Sequence, residues 1–472
     1  MRAPAVTQRL FASGLALAVS GCLVGPDFVP PDVPAPAGWV APLESGLAAE
    51  EPEAESLAHW WDALGDPLLG ELERRAVLGS RDIAIAEARL REARARREGT
   101  SAGLWPTSGV RAGASRSHAE SAIPESLERY DVGFDASWEI DLFGGLRRGV
   151  EAARAELAAS AENLRAVHVS IAGEVAQAYV ELRALQQRLA LAEENVRAQS
   201  ETLELTGWRS QAGLTTALDV EQARANLEQT RAALPQLRTG IAASKHRLAV
   251  LVGEPPGALD AQLDPPAPVP VPPERIAVGV PAAALARRPD VARAERQLAA
   301  ETARIGVAKA QAYPRLSLSG SVGVESLATS DLFTAASYTN TLVGNLTQVV
   351  LDFGRVRATI EAQEAVRDAA LAEFEATLLE ALEEVENALV AFVQEEQRLD
   401  ALAAAADAAS LAAQLSRDQY AAGLIDFESV LVTERALFNA QDQLAASEGE
   451  YATDLVRVYK ALGGGWPGEE AP

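Results

Sequence analysis

The chain has 472 residues, 48% of them hydrophobic and 23% charged, which excludes a disordered polypeptide and leaves room for more than one layer or domain. A net charge of -25 argues against nucleic acid as a partner, and a single cysteine excludes an intrachain disulfide. Abundant Ala with only 5% aromatic residues suits long helices packed side by side.

Arg2 and Arg9 flank the start, and Leu10 to Val19 is an apolar run too short to span a bilayer. Ser20-Gly21 then precede Cys22, which predicts a lipoprotein signal peptide over 1–21. The Cys22 thiol would take a diacylglyceryl group and its amine an N-acyl chain; two or three chains anchor firmly in a lipid layer. No other cofactor is expected. Residues 22–58, rich in Pro, Ala and Glu, read as an extended tether rather than a core.

A first repeat is expected over 59–253. Trp60 and Trp61 are packing anchors, and Asp66-Pro67 starts a helix that runs to about Leu104, where Trp105-Pro106 stops it. Strands are expected over about 105–119 and 128–142. In the second, Tyr130, Val132, Phe134, Ala136, Trp138, Ile140 and Leu142 alternate with polar or small residues, so one face is apolar and one is wet. The wet face carries Asp131, Asp135, Glu139 and Asp141, suited to lining a water-filled, cation-tolerant passage.

Gly144-Gly145 ends the alternation, and a helix follows over about 145–212. Two interleaved heptad series, Leu157 to Ala192 and Ala161 to Leu203, form a coiled-coil seam. About 68 residues at 1.5 Å each make a helix of about 100 Å, too long for a compact domain. Gly213-Leu214 ends it, and a return helix spans about 217–252.

Residues 254–280 read as a Pro-rich linker, after which the pattern repeats over 281–462. Phe143-Gly144 returns as Phe353-Gly354, a shift of 210. The second copy opens with Leu285-Ala286-Arg287-Arg288-Pro289-Asp290-Val291, and a helix runs to about Ala312, stopped by Tyr313-Pro314. Strands are expected over about 314–325 and 338–352, with a bulge or partly buried end at Val349-Val350-Leu351. A long helix over about 355–422, a return helix over about 427–462 and an irregular tail over 463–472 complete the chain.

Four strands cannot enclose a lumen, and an open edge is not tolerated in lipid, so closure needs several chains; three would supply twelve strands. The four histidines, His59, His118, His168 and His246, have no ligand-type spacing, so neither a metal site nor an enzyme constellation is expected.

Several motifs together resemble one family. They are Cys22-Leu-Val-Gly-Pro-Asp-Phe, Trp61-x4-Asp66-Pro67-x-Leu69, Arg288-Pro289-Asp290-Val291, Asp352-Phe353-Gly354-Arg355, Tyr420-x2-Gly423-Leu424 and Tyr459-x-Ala461-Leu462-Gly463-Gly464-Gly465-Trp466. They are similar to the TolC-like outer-membrane efflux proteins, in particular the lipoprotein branch that serves resistance-nodulation-division (RND) pumps. The resemblance implies an α+β membrane protein: a homotrimer with a twelve-stranded outer-membrane β-barrel continuous with a twelve-helix periplasmic α-barrel, and two tandem structural repeats per chain. It implies an exit duct working passively with a periplasmic adaptor protein and an inner-membrane RND pump. Leu23 after the acylated Cys22 fits sorting to the outer membrane.

The family's tunnel closes at the periplasmic tip, at turns that map to Gly207 to Asp219 and Gln419 to Arg435. Val432 stands where an acid is expected and Glu428 lies one turn earlier, so the candidate gate residues are Asp219, Asp426, Glu428 and Arg435. Two other readings compete: a lipid-anchored periplasmic coiled-coil scaffold without a pore, and a TolC-type duct for protein secretion. The strand alternation and the duplication favour a duct; the lipobox and the terminal Gly-Gly-Gly-Trp favour the pump branch.

Overall fold

A computed structural model of the single chain describes residues 23–32, 36–119 and 125–466. Cys22 and the signal segment lie outside the described residues. In chain order the elements are β1 (Leu47–Ala48), α1 (Ala54–Ala58), α2 (Pro67–Gly79), α3 (Arg81–Ala102), β2 (Thr107–Ala119), β3 (Glu125–Ile140) and α4 (Gly145–Gln211). There follow α5 (Ala217–Leu251), α6 (Asp260–Leu263), β4 (Ile276–Ala277), α7 (Pro281–Arg287), α8 (Pro289–Ala310), β5 (Arg315–Ser326), β6 (Tyr338–Thr347), α9 (Arg355–Ala421) and α10 (Phe427–Ala461). No helix among the described residues is long and apolar enough to cross a membrane.

The chain divides into two units. One comprises Met1–Asp32, Ala88–Ala161 and Arg293–Ala376. Its centre is a four-stranded antiparallel sheet in the order β2-β3-β5-β6. Val110 faces Phe134 and Trp138 faces Leu318, so the apolar side chains of the strands fall on one face, as period two requires. Arg111, Asp131, Asp135, Ser319 and Ser321 share the other face. The fourth strand ends at Thr347, short of the expected 352, and the bulge or buried end is absent: Val350 and Leu351 are 91% and 73% exposed. The reason is local. Gln348 donates its side-chain amide to the carbonyls of Ala312 and Val349, which takes up groups that a further rung of the ladder would use.

This unit also corrects the reading of the tether. Residues 23–27 are docked, not free. Val24 N–H donates to the Phe143 carbonyl. The buried Arg148 guanidinium donates to the Val24 and Gly25 carbonyls and to Asp27. Gly25 has φ +96 and lies against the Gly306 backbone, where an added Cβ would come within 2.4 Å of Gly306 Cα, so only glycine fits.

The second unit comprises Val33–Glu87, Glu162–Ala292 and Thr377–Pro472, and it is helical. Its core joins Trp60, Trp61, Leu69 and Leu72 to Val175, Leu182, Leu248, Phe392 and Leu455. Trp60 stacks on Tyr459 with ring centroids 5.3 Å apart. The seam residues Ile171, Ala178, Leu378 and Val385 are buried. His168, half-buried on that seam, has its pKa lowered by desolvation, with Glu87 opposing.

Here too the tether is ordered: β1 pairs in parallel with β4, burying Leu47 and Ile276. Trp39 Nε1–H donates to the Gly279 carbonyl, and the Val40 and Ala41 N–H groups both bond the Glu386 carboxylate at 2.8 Å. The Pro-rich linker is likewise built in, since Arg183 bonds the Pro265 carbonyl and Gln186 the Leu263 carbonyl. Leu263 ends α6 and Pro265 lies in the Pro-rich stretch after it, so neither carbonyl has a helical partner and both are taken by buried side chains of α4.

The helix expected over 67–104 is two helices, broken at Ser80, which has ψ 131. The helix of the second copy is broken at Arg288, with ψ 121. Arg288 precedes a proline, which disfavours helical geometry there.

Candidate functional site

Two places matter: the polar face of the sheet in the first unit, and the helix turns near Gly213 and Gly423 in the second. On the sheet, Asp131 and Asp135 both face Arg111 across the β2–β3 pair, at 2.9 and 3.4 Å. Arg129 pairs with Glu325 on the neighbouring strand at 3.3 Å. The wet face is therefore a band of mixed charge, not an acidic one. Arg111 was legible as a polar position in an alternating strand, but its pairing follows only from the register. Glu139 is exposed. Asp141 holds the start of α4 instead, accepting from the Arg147 backbone N–H at 2.9 Å and its guanidinium at 3.2 Å.

At the helix turns, Asp219 and Asp426 are capping groups. Thr216 caps α5 and Asp219 reaches back to the Thr216 N–H at 2.9 Å, a reciprocal capping box. Thr215 also donates to Asp219, and this bond holds the carboxyl below the usual carboxylate range. Asp426 caps α10, accepting from Ser429 Oγ at 2.7 Å and Ser429 N–H at 3.0 Å, and is lowered for the same reason. The two copies use the same turn with the cap residues exchanged: Thr then Asp in the first, Asp then Ser in the second.

Glu428 is exposed in the first turn of α10 and Val432 is 58% exposed. Arg435 is not beside them in function: its guanidinium donates to Asn226 Oδ1 at 2.8 Å and so ties α10 to α5. The four candidates are therefore two caps, one exposed acid and one inter-helix tie.

Sequence reading missed three further ties. Arg209 donates to the Tyr420 carbonyl at 2.8 Å and lies over the Tyr420 ring at 4.4 Å. Arg188 forms a two-pronged pair with Asp442 at 2.8 and 3.0 Å. Buried Glu434 accepts from Thr202 at 2.7 Å, and desolvation raises its pKa against the pull of Thr202 and Arg417. Each joins residues more than 200 positions apart, and only the 210-residue repeat hinted at such pairing.

A four-stranded sheet that runs through glycine turns into two 67-residue helices defines a helix-rich α/β chain built from two repeats. The family model described as "Outer membrane efflux protein" matches residues 72–254 and 280–464, and the chain belongs to that family. The pyoverdine export outer membrane protein OpmQ of Pseudomonas putida is 34% identical over 91% of this chain and 92% of its own length. Nodulation protein T of Rhizobium leguminosarum bv. trifolii is 30% identical over 95% and 96%. Among solved structures, the outer-membrane channel OprN superposes with TM-score 0.90 at 36% identity, covering 94% of this chain and all of that one. The open state of the MtrE outer membrane channel of Neisseria gonorrhoeae superposes with TM-score 0.82 at 25% identity over 94% and 99%. The chain is thus a TolC-like outer-membrane efflux channel protein with a periplasmic extension.

Proposed function

We propose that three copies of this chain form a twelve-stranded barrel in the outer membrane, continuous with a twelve-helix tunnel in the periplasm. The assembly is an exit duct, not an enzyme. It conducts substrates passively from an inner-membrane RND pump and its periplasmic adaptor to the outside. The observation that carries this is the sheet: among the described residues β2 and β6 each pair on one side only, and an unpaired edge is untenable in lipid. Three such sheets give a barrel wide enough for water. Pump and adaptor partners follow from relatives named as efflux pump outer membrane proteins, such as TtgF and SrpC of Pseudomonas putida. Acylation of Cys22 adds the lipid anchor.

The mixed-charge face of the sheet lines the passage, with Asp131, Asp135, Glu139 and Arg111 in contact with water. Asp219, Asp426, Glu428 and Arg435 take part in closing the tip, the first two by fixing the turns and Arg435 by holding α5 against α10. The test is the mass and single-channel conductance of the detergent-solubilised protein. A conducting trimer is expected. A monomer or dimer without conductance would leave the tethered coiled-coil scaffold. In planar bilayers Glu428→Ala should change the closed-state conductance; an unchanged value removes Glu428 from the gate.

A further inference from the structure

The polar face of the β2–β3 hairpin is laid out as a chequer of charge and glycine. On β2 that face carries Gly109, Arg111 and Gly113, and on β3 it carries Asp131, Gly133 and Asp135. The register sets Gly109 against Asp135, Arg111 against Gly133 and Gly113 against Asp131, so each of these charged side chains faces a glycine. With no side chain opposite, Arg111 has room to reach both diagonal neighbours, Asp131 at 2.9 Å and Asp135 at 3.4 Å. The next strand keeps the same rung bare. Gly323 faces Gly133, and an added Cβ on Gly323 would come within 2.5 Å of the Val132 carbonyl oxygen. From the rung of Asp131 to that of Glu139, Arg111 is the only basic side chain on the polar face among the described residues.

A hairpin of this shape does not need these charges in order to form. The β5–β6 hairpin repeats the register under shifts of 208 residues (Trp105 to Tyr313) and 210 residues (Phe143 to Phe353). At the corresponding places it has Ser317, Ser319 and Ser321 facing Asn345, Val343 and Thr341. The same pairing thus forms with neutral side chains there. Ion pairs open to water add little stability in any case, and the Arg111 side chain is 60% exposed. What the chequer changes is the electrostatic field over the face that carries it.

We propose that Arg111 sets which charges the passage admits. By themselves, Asp131, Asp135 and Glu139 of three copies would draw cations and repel acids. With Arg111 between the two aspartates the belt presents both signs at once, so it admits molecules that carry an acidic group, carboxylates and zwitterions among them. Arg111 is in this sense a specificity-determining residue. That role rests on the trimeric-duct reading and deepens it by naming the charge class of the cargo.

Reversal potentials of the full-length protein in planar bilayers test it, with potassium chloride and potassium glutamate as the probes. Wall charges act over about 30 Å at 0.01 M salt and about 3 Å at 1 M, so the effect should be large at low salt and fade at high salt. Arg111→Gln should raise the preference for potassium over chloride several-fold and lower glutamate permeability by a similar factor. Asp135→Asn should move both the other way. Arg111→Lys keeps the charge but not the two-sided contact and should stay close to wild type. If it moves the reversal potential as far as Arg111→Gln does, charge is not the cause and the proposal falls. Should Arg111→Gln fail to assemble, Asp135→Asn decides. Unchanged potentials in a conducting trimer place selection elsewhere along the passage and overturn the role of Arg111 while leaving the duct standing. A monomer without conductance overturns the duct itself.

Discussion

The two repeats break their helices at the same place and hold the break differently. In the first copy Ser80 sits between α2 and α3, buried at 5% exposure, followed by Arg81, Asp82 and buried Ile83. In the second copy Arg288 occupies the corresponding place between α7 and α8, followed by Pro289, Asp290 and buried Val291. Arg288 donates to both oxygens of Asp290, at 3.0 and 2.7 Å, to Glu384 at 2.6 Å and to the Ala461 carbonyl at 2.7 Å. A break of the same shape thus needs only a small residue in one copy, while in the other it has become the point that ties the break to α9 and to the end of α10. What differs is not the backbone but what converges on it.

The first copy does hold a buried charge near its break, but it is of the opposite kind. Glu73 on α2 is 1% exposed, its Oε1 has no hydrogen-bond partner, and burial raises its pKa well above the ordinary value. Burial also pushes Asp290 up, but hydrogen bonding and charge from Arg288 outweigh it and hold the carboxyl below its ordinary value.

These contrasts are open to direct attack. The largest effect is expected from Arg288→Ala, which strands Asp290 and the buried Ala461 carbonyl: a loss of about 3 kcal/mol, measured by denaturant unfolding of the solubilised protein. Arg288→Lys keeps the charge but not the fork and should recover only part of it. Next comes Glu73→Gln. Removing an acid that must be buried should stabilise by roughly 1–3 kcal/mol at neutral pH, and a loss would show that Glu73 is paired in solution.

The pH profile separates the two acids. Glu73 has a raised folded pKa, so wild-type stability should increase as pH falls from the neutral range towards the ordinary glutamate value, and Glu73→Gln should flatten that slope. Asp290 has a lowered folded pKa, so its contribution is present above the ordinary aspartate value and is lost as pH falls through the folded one. The smallest effects belong to the Thr216 cap and the small residue at the first break: Thr216→Ala should cost about 1 kcal/mol and Ser80→Ala less. Comparable losses at Ser80 and Arg288 would break the contrast between the copies.

Much of this protein was legible in the order of its residues. The alternation from Tyr130 to Ile140, the heptads, and the Gly213-Leu214 and Gly423-Leu424 stops are local patterns, and backbone geometry turns local patterns into strands, helices and turns directly. The duplication is likewise a property of the string, and it placed the two long helices of 67 residues. The capping roles of Asp219 and Asp426 were half legible, since Thr-x-x-Asp and Asp-x-x-Ser are cap signatures that a search for gate acids passes over.

Tertiary structure decided the rest, for one reason: a side chain's partner across hundreds of residues leaves no local trace. The tether read as extended chain rather than core because it is rich in Pro, Ala and Glu and shows no helical or strand period, yet Arg148, Glu386 and the β4 strand supply the hydrogen bonds that fix it. Arg111 became the counter-charge of Asp131 and Asp135 only once the register set them opposite. Arg209, Arg435 and Glu434 became ties between helices only once the repeats had packed. Local periodicity wrote the elements of this channel protein, and long-range packing chose which of its charges would hold them together.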